Sequence, residues 1–166
     1  MQKKITLAII TFIFSSLFLS QISFASNPNE QVEEILQLKE APAGIIFEIV
    51  TGESNSLAWA LPETKNYIKE LRARFPKLEI AIVTHGNEQF ALKTSNDKKY
   101  KKVHSLTQQL VQTDNIPLHV CGTYAGWKGL TEEDFPEYVD VAAAGPATIN
   151  DYISLGYTLI KIESLN

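Results

Sequence analysis

At 166 residues and a formal net charge of −4, the chain is long enough for one domain with a real core. It is also too acidic to offer the broad basic surface that nucleic acid requires. Its one local basic cluster, Lys98, Lys99, Lys101 and Lys102, reads as the solvated start of a helix, and its single cysteine, Cys121, excludes an internal disulfide.

The chain opens with Lys3 and Lys4, then an uncharged apolar run from Ile5 to Leu19. Ser23-Phe24-Ala25 follows, with small residues at the two positions a signal peptidase inspects. The apolar run is short for a transmembrane helix, and a polar stretch begins at once with Ser26. Residues 1–25 are therefore expected to be a cleaved signal peptide. The protein would be exported, periplasmic if the source is a Gram-negative bacterium, with no stable membrane insertion after cleavage. Removal of the two lysines makes the remaining chain more acidic. Residues 26–43 read as a polar leader, within which Glu30–Leu38 has the makings of a short helix, and residues 44–166 as the folded domain.

From Gly44 the sequence alternates between two periods. Ile45–Val50 is an apolar run ending at Thr51-Gly52, a strand. Leu57, Leu61, Ile68, Leu71 and Phe75 recur at helical steps, with Pro62 confined to the first turns and Pro76 as the stop. Leu78–Val83 is a second strand, closed by His85-Gly86-Asn87. Tyr100, Val103, Leu106, Leu110 and Val111 mark a second helix, which Asp114-Asn115 ends. Ile116–Cys121 is a third strand, broken by Gly122. A short helix opened by Thr131 precedes a fourth strand, Val139–Ala144. Thr148–Leu155 is a helix capped by Gly156, and Tyr157–Ile162 is the last strand. This alternation predicts a three-layer α/β/α sandwich around a five-stranded, mostly parallel sheet.

Ligands of such sheets gather beyond the carboxyl ends of the strands. Cys121 lies at that edge, before Gly122 and a loop whose backbone amides suit a thiolate. His85, in the turn with Gly86 and Asn87, lies at the same edge and is the candidate partner. His119 stands two residues before Cys121, so both side chains point to one face of the strand; it either tunes the thiol or packs as a satisfied core histidine. His104 is expected on a helix surface. Tyr124 and Trp127, with Trp59, suit a pocket at this edge. The histidines and the cysteine lack any compact metal-ligand spacing, and no P-loop, G-x-G-x-x-G or G-x-S-x-G motif occurs. No metal and no cofactor are expected.

Several segments together resemble the DsrE/DsrF-like sulfur-relay family, in its signal-peptide-bearing branch. They are Val83-Thr84-His85-Gly86, His119-Val120-Cys121-Gly122-Thr123, the acidic stretch Leu130–Asp134, Val139–Gly145 and Leu155-Gly156-Tyr157, with Asn66 as a weaker match. The resemblance spans Ala43 to Ile162. It implies a parallel α/β sandwich assembled into homo-oligomers, trimers or hexamers, and a sulfurtransferase or sulfur-carrier role in which Cys121 accepts and passes on a sulfane sulfur as a persulfide. His85 would assist, and His119, Gly86, Asn87, Gly122, Tyr124 and Trp127 would line the binding site. Two readings follow. In one, Cys121 exchanges sulfur or redox equivalents with an unidentified donor and acceptor. In the other, the protein is a non-enzymatic binding or assembly subunit, its loops hold a small ligand or partner, and Cys121 only packs.

Overall fold

The computed structural model describes residues 27–163; the expected signal peptide lies outside them. All five expected strands are present, as β1 (Gly44–Ile49), β2 (Ile80–Thr84), β3 (Leu118–Cys121), β4 (Asp140–Ala142) and β5 (Tyr157–Ile162). Every neighbouring pair is parallel, and the spatial order is β4-β3-β2-β1-β5.

The chain therefore walks outward from β1 to β4, then returns across the sheet to lay β5 on the other side of β1. Parallel crossovers are right-handed, so the outward walk puts its helices on one face and the return puts its helix on the other. The outward helices are α2 (Leu57–Arg74), α3 (Lys101–Gln108) and the short α4 (Gly122–Trp127); the return helix is α5 (Gly145–Ser154). Strand alternation divides the core accordingly. Ile45, Phe47 and Ile49 of β1 join the large core under α2, whereas Ile46 joins Ala81, Val83 and Ile149 in a small core under α5. The direction of travel reverses between β1 and β5, which makes that point of the sheet edge the topological switch.

Local chemistry sets the element ends. The buried face of α2 runs through Leu57, Leu61, Thr64, Ile68 and Leu71 at helical spacing, with Pro62 in the second turn. Beyond α3, a wider turn over Gln109–Thr113 leads to Asn115, whose φ of 53° turns the chain into the third strand. Gly156, at φ 89°, takes the left-handed position after α5, as its sequence context predicts. Two expectations change in detail. The segment opened by Thr131 is a single 3-10 turn, Glu132–Asp134, closed by the Asp134 carboxylate accepting from the Thr131 N–H at 2.9 Å. The last helix starts three residues early because Pro146 fits a first helical turn.

The leader is more than a connector. Its residues Pro28–Leu36 form α1, capped by the Asn27 side chain, which accepts from the Asn29 N–H at 3.0 Å. Val32 and Ile35, one helical turn apart, are buried in the large core, and Tyr67 of α2 donates to Asn29 at 2.9 Å. Polar composition concealed this contact, because two apolar residues at i and i+3 are all that such a helix needs to dock. Ile35→Ala is expected to cost ~2–4 kcal/mol in urea unfolding; a loss below ~0.5 kcal/mol would detach α1 from the cooperative domain.

Candidate functional site

Four side chains from four adjacent strands or their ends line up across the carboxyl edge, all on the α5 side of the sheet. They are Lys161 of β5, Glu48 of β1, His85 just past β2 and Cys121 at the end of β3. The parallel register sets Glu48 beside Lys161. The Lys161 ammonium lies 3.3 Å from Glu48 Oε2, and His85 Nε2 lies 2.8 Å from Glu48 Oε1. The His85 hydrogen bond, with help from the Lys161 charge, holds the Glu48 carboxyl below its ordinary pKa against the opposing effect of burial. Glu48 is thus an anion that accepts the Nε2 proton of His85, and the basic nitrogen of the neutral imidazole is Nδ1.

Gly145, first residue of α5, sits between His85 and Cys121. A β-carbon there would stand 2.7 Å from His85 Cβ and 3.4 Å from Cys121 Cβ. Only a residue without a side chain lets α5 begin against both His85 and Cys121. Cys121 itself is 5 % exposed. Its Sγ accepts the Tyr124 N–H at 3.4 Å, so the thiol caps α4 and an amide of the Cys121–Leu130 segment is indeed aimed at sulfur. The neighbouring Thr123 N–H is committed elsewhere, to the Ala143 carbonyl at 3.0 Å. Gly122 is needed for close approach, since a β-carbon there would lie 2.9 Å from the Ala142 carbonyl oxygen.

The 3-10 turn Asn87–Leu92 fixes this edge through two fully buried polar side chains. Glu88 accepts five hydrogen bonds, from the Thr51, Gly52 and Gly86 N–H groups and the Thr51 and Thr84 hydroxyls, at 2.7–3.2 Å. Gly86 is required beside it, because a β-carbon would fall 2.5 Å from a Glu88 oxygen. Gln89 clasps the backbone of Cys121, accepting its N–H at 2.8 Å and donating to its carbonyl at 3.4 Å. Asn87 donates to the Gly52 carbonyl at 2.9 Å and accepts from the Tyr124 hydroxyl at 2.6 Å. The Tyr124 ring meets Phe90 and Trp127, and Trp127 is 77 % exposed. Trp59, on α2, is 38 % exposed.

Of the residues picked from sequence, His85, Gly86, Asn87, Gly122, Tyr124 and Trp127 thus gather around Cys121 at one edge. His119 shares the face of Cys121, but both of its ring nitrogens are occupied: Nδ1 by Asp140 and Nε2 by the Tyr152 hydroxyl at 3.0 Å. It is a satisfied histidine that ties β3 to β4 and α5. His104 is buried, contrary to the expected surface position. Its Nε2–H donates to the Ala91 carbonyl at 3.0 Å, and its Nδ1 lies 2.7 Å from the Tyr138 hydroxyl. Burial keeps that phenol protonated, with its pKa raised. Among the described residues no group of three His, Cys, Asp or Glu side chains converges to hold a metal ion.

Sequence reasoning missed Glu48, Glu88, Gln89 and Lys161. Glu48 did leave a signal, as the lone charge inside the apolar run Ile45–Val50. Charged residues are almost never buried unless paired.

A model of the DsrE/DsrF-like family matches residues 49–162, which include His85 and Cys121. Two solved structures share the fold. One is a protein of unknown function, MTH1491 from Methanobacterium thermoautotrophicum, at 19 % identity and a TM-score of 0.55, covering 71 % of this chain and 97 % of its own. The other is the ychN protein from E. coli, at 13 % identity and a TM-score of 0.50, covering 72 % and 99 %. Among functionally curated proteins none matches the chain.

The lowered Glu48 pKa makes a signed prediction. The unfolded chain binds that proton more readily, so the stability Glu48 supplies is present above about pH 4.3 and is lost as pH falls through its folded pKa. Glu48→Gln should flatten the acid limb of the stability curve, measured by urea midpoints from about pH 6 down to 3. An unchanged limb would show that the carboxylate is not stabilised by His85 and Lys161.

Proposed function

The chain belongs to the DsrE/DsrF-like family, and from that membership and the site geometry we propose that Cys121 is a sulfur-carrying thiolate. The observation that carries the reading is the placement of Cys121 at a strand end, with the Tyr124 amide on its sulfur and a Glu48-paired histidine across Gly145. An aimed amide, and a basic imidazole nitrogen able to take the thiol proton, favour a thiolate over a thiol.

The chemistry is two displacements. The Cys121 thiolate attacks the outer sulfur of a donor persulfide, R–S–SH; a Cys121 S–S bond forms, the donor S–S bond breaks, and R–S⁻ leaves. An acceptor thiolate then attacks the outer sulfur of Cys121–S–SH, takes it, and returns Cys121 as thiolate. Neither step needs an external oxidant or reductant. His85, with Nε2–H committed to Glu48, holds a proton at Nδ1 for the leaving thiolate and gives it up again.

Support for export comes from the signal-peptide pattern of residues 1–25. Support for a homo-oligomer comes from the α5 face, where Ile153 is 42 % and Leu155 71 % exposed beside a small core; the sizes proposed, trimers or hexamers, come from the family resemblance alone. Both proposals are checked on protein recovered from envelope fractions. An N-terminus at Ser26 and a light-scattering mass of three or six chains are expected; retention of residues 1–25 or a monomer would refute the respective proposal.

A second reading has its own observation. Cys121 is nearly buried while Trp127 stands out in solvent, which suits a binding or assembly subunit whose thiol only packs. Intact-mass spectrometry after exposure to polysulfide separates the two. The sulfur-carrier reading expects one added sulfur atom on Cys121, removable by reductant, absent in Cys121→Ser, and transferable to a low-molecular-weight thiol. A folded protein that gains no sulfur, together with undiminished function in Cys121→Ser, would establish the second reading.

A further inference from the structure

The acidic character of this chain is not evenly spread. One surface cleft is lined by Glu30, Glu33 and Glu34, and another includes Glu132, Glu133 and Glu137. One cleft beside the edge that carries Cys121 has the opposite sign. It measures about 330 Å³ and opens between the turn after β2 and the segment after α4. Lys93, Lys99 and Lys128 line it, and no aspartate or glutamate does.

These lysines stay unneutralised. Among the described residues none of the three is ion-paired with a carboxylate. Two are held against ring faces instead: Lys99 Nζ stands 4.8 Å from the Tyr100 ring centroid, and Lys128 Nζ stands 5.6 Å from that of Tyr124. A ring face steadies an ammonium without cancelling its charge. Converging cations usually recruit acidic neighbours, because like charges repel. Here no carboxylate lines the cleft beside them.

Phe90 and Tyr100 give the cleft an apolar side, and Asn87 gives it a polar end. Asn87 is itself fixed by Gly52 and by the Tyr124 hydroxyl. The volume lies within the range of small-molecule sites.

We propose that this cleft binds a small polyanion, one carrying two or more carboxylate, phosphate or sulfonate groups. Three separate ammonium groups act as point charges and suit a multivalent anion, while Phe90 and Tyr100 can cover its carbon skeleton. The proposal does not depend on Cys121 taking up sulfur.

The test is isothermal titration of the purified protein with citrate and with pyrophosphate, and with glycerol as the uncharged control. Saturable binding of either polyanion is expected, and none of glycerol. It should weaken steeply between about 25 and 300 mM salt, because Lys99 and Lys128 are exposed and Lys93 is only half-buried. The triple variant K93Q/K99Q/K128Q should lose affinity by about tenfold. The control K65Q/K69Q, which removes two lysines from α2, should stay within about twofold of the unmodified protein. Matching melting curves show that the variants are folded. No saturable binding of either polyanion, or an equal loss in the control, overturns the site.

Discussion

A carboxylate with no access to water organises this molecule. Isolating a charged group from solvent is costly unless every lone pair is used, and Glu88 meets that demand only when the end of β1, the end of β2 and the turn after β2 are all in place. The residue after it is equally buried and equally demanding: the Gln89 amide needs the backbone of Cys121. Two consecutive side chains on one 3-10 turn therefore bind three strand ends into a single rigid edge. That edge carries His85 and Cys121, and its geometry is inherited from the hydrogen bonds behind it.

The division of labour across the sheet follows from handedness. Because crossovers turn one way, the chain can return to β1 only by placing α5 on the face opposite to α2 and α3. The α5 side is consequently the thinner one, with a small core and a carboxyl-end row of ionisable groups instead of a thick helical cover. The same return places Lys161 against Glu48 at the switch point. A row of ionisable groups at the carboxyl edge and a lightly covered face are two results of one topological reversal.

Much of this was legible in the sequence. Strand positions, the cap at Gly156 and the clustering of Cys121, His85, Asn87 and Tyr124 all follow from periodicity, turn residues and the rule that parallel sheets act at their carboxyl ends. What escaped shares one physical character. Glu88 and Gln89 look like ordinary surface residues of a loop, since their burial is created by partners 32 to 37 residues away. His104 looked exposed for the same reason: its two partners, Ala91 and Tyr138, come from other segments. Periodicity reports which way a side chain faces its own element. It is silent on polar groups whose partners arrive from elsewhere in the chain.

The pairing of β1 with β5 also governs the order in which the molecule can assemble. Gly44 must wait for Tyr157 before its outer edge is satisfied, so the sheet closes through contacts between segments far apart in the chain, the kind that slow folding. Until then β1, rich in isoleucine, presents an unpaired strand edge of the sort that invites intermolecular pairing. Loss of the last strand would therefore do more than shorten the chain. It would leave a nearly complete domain with a sticky, open side, and would turn a folding intermediate into an aggregation template.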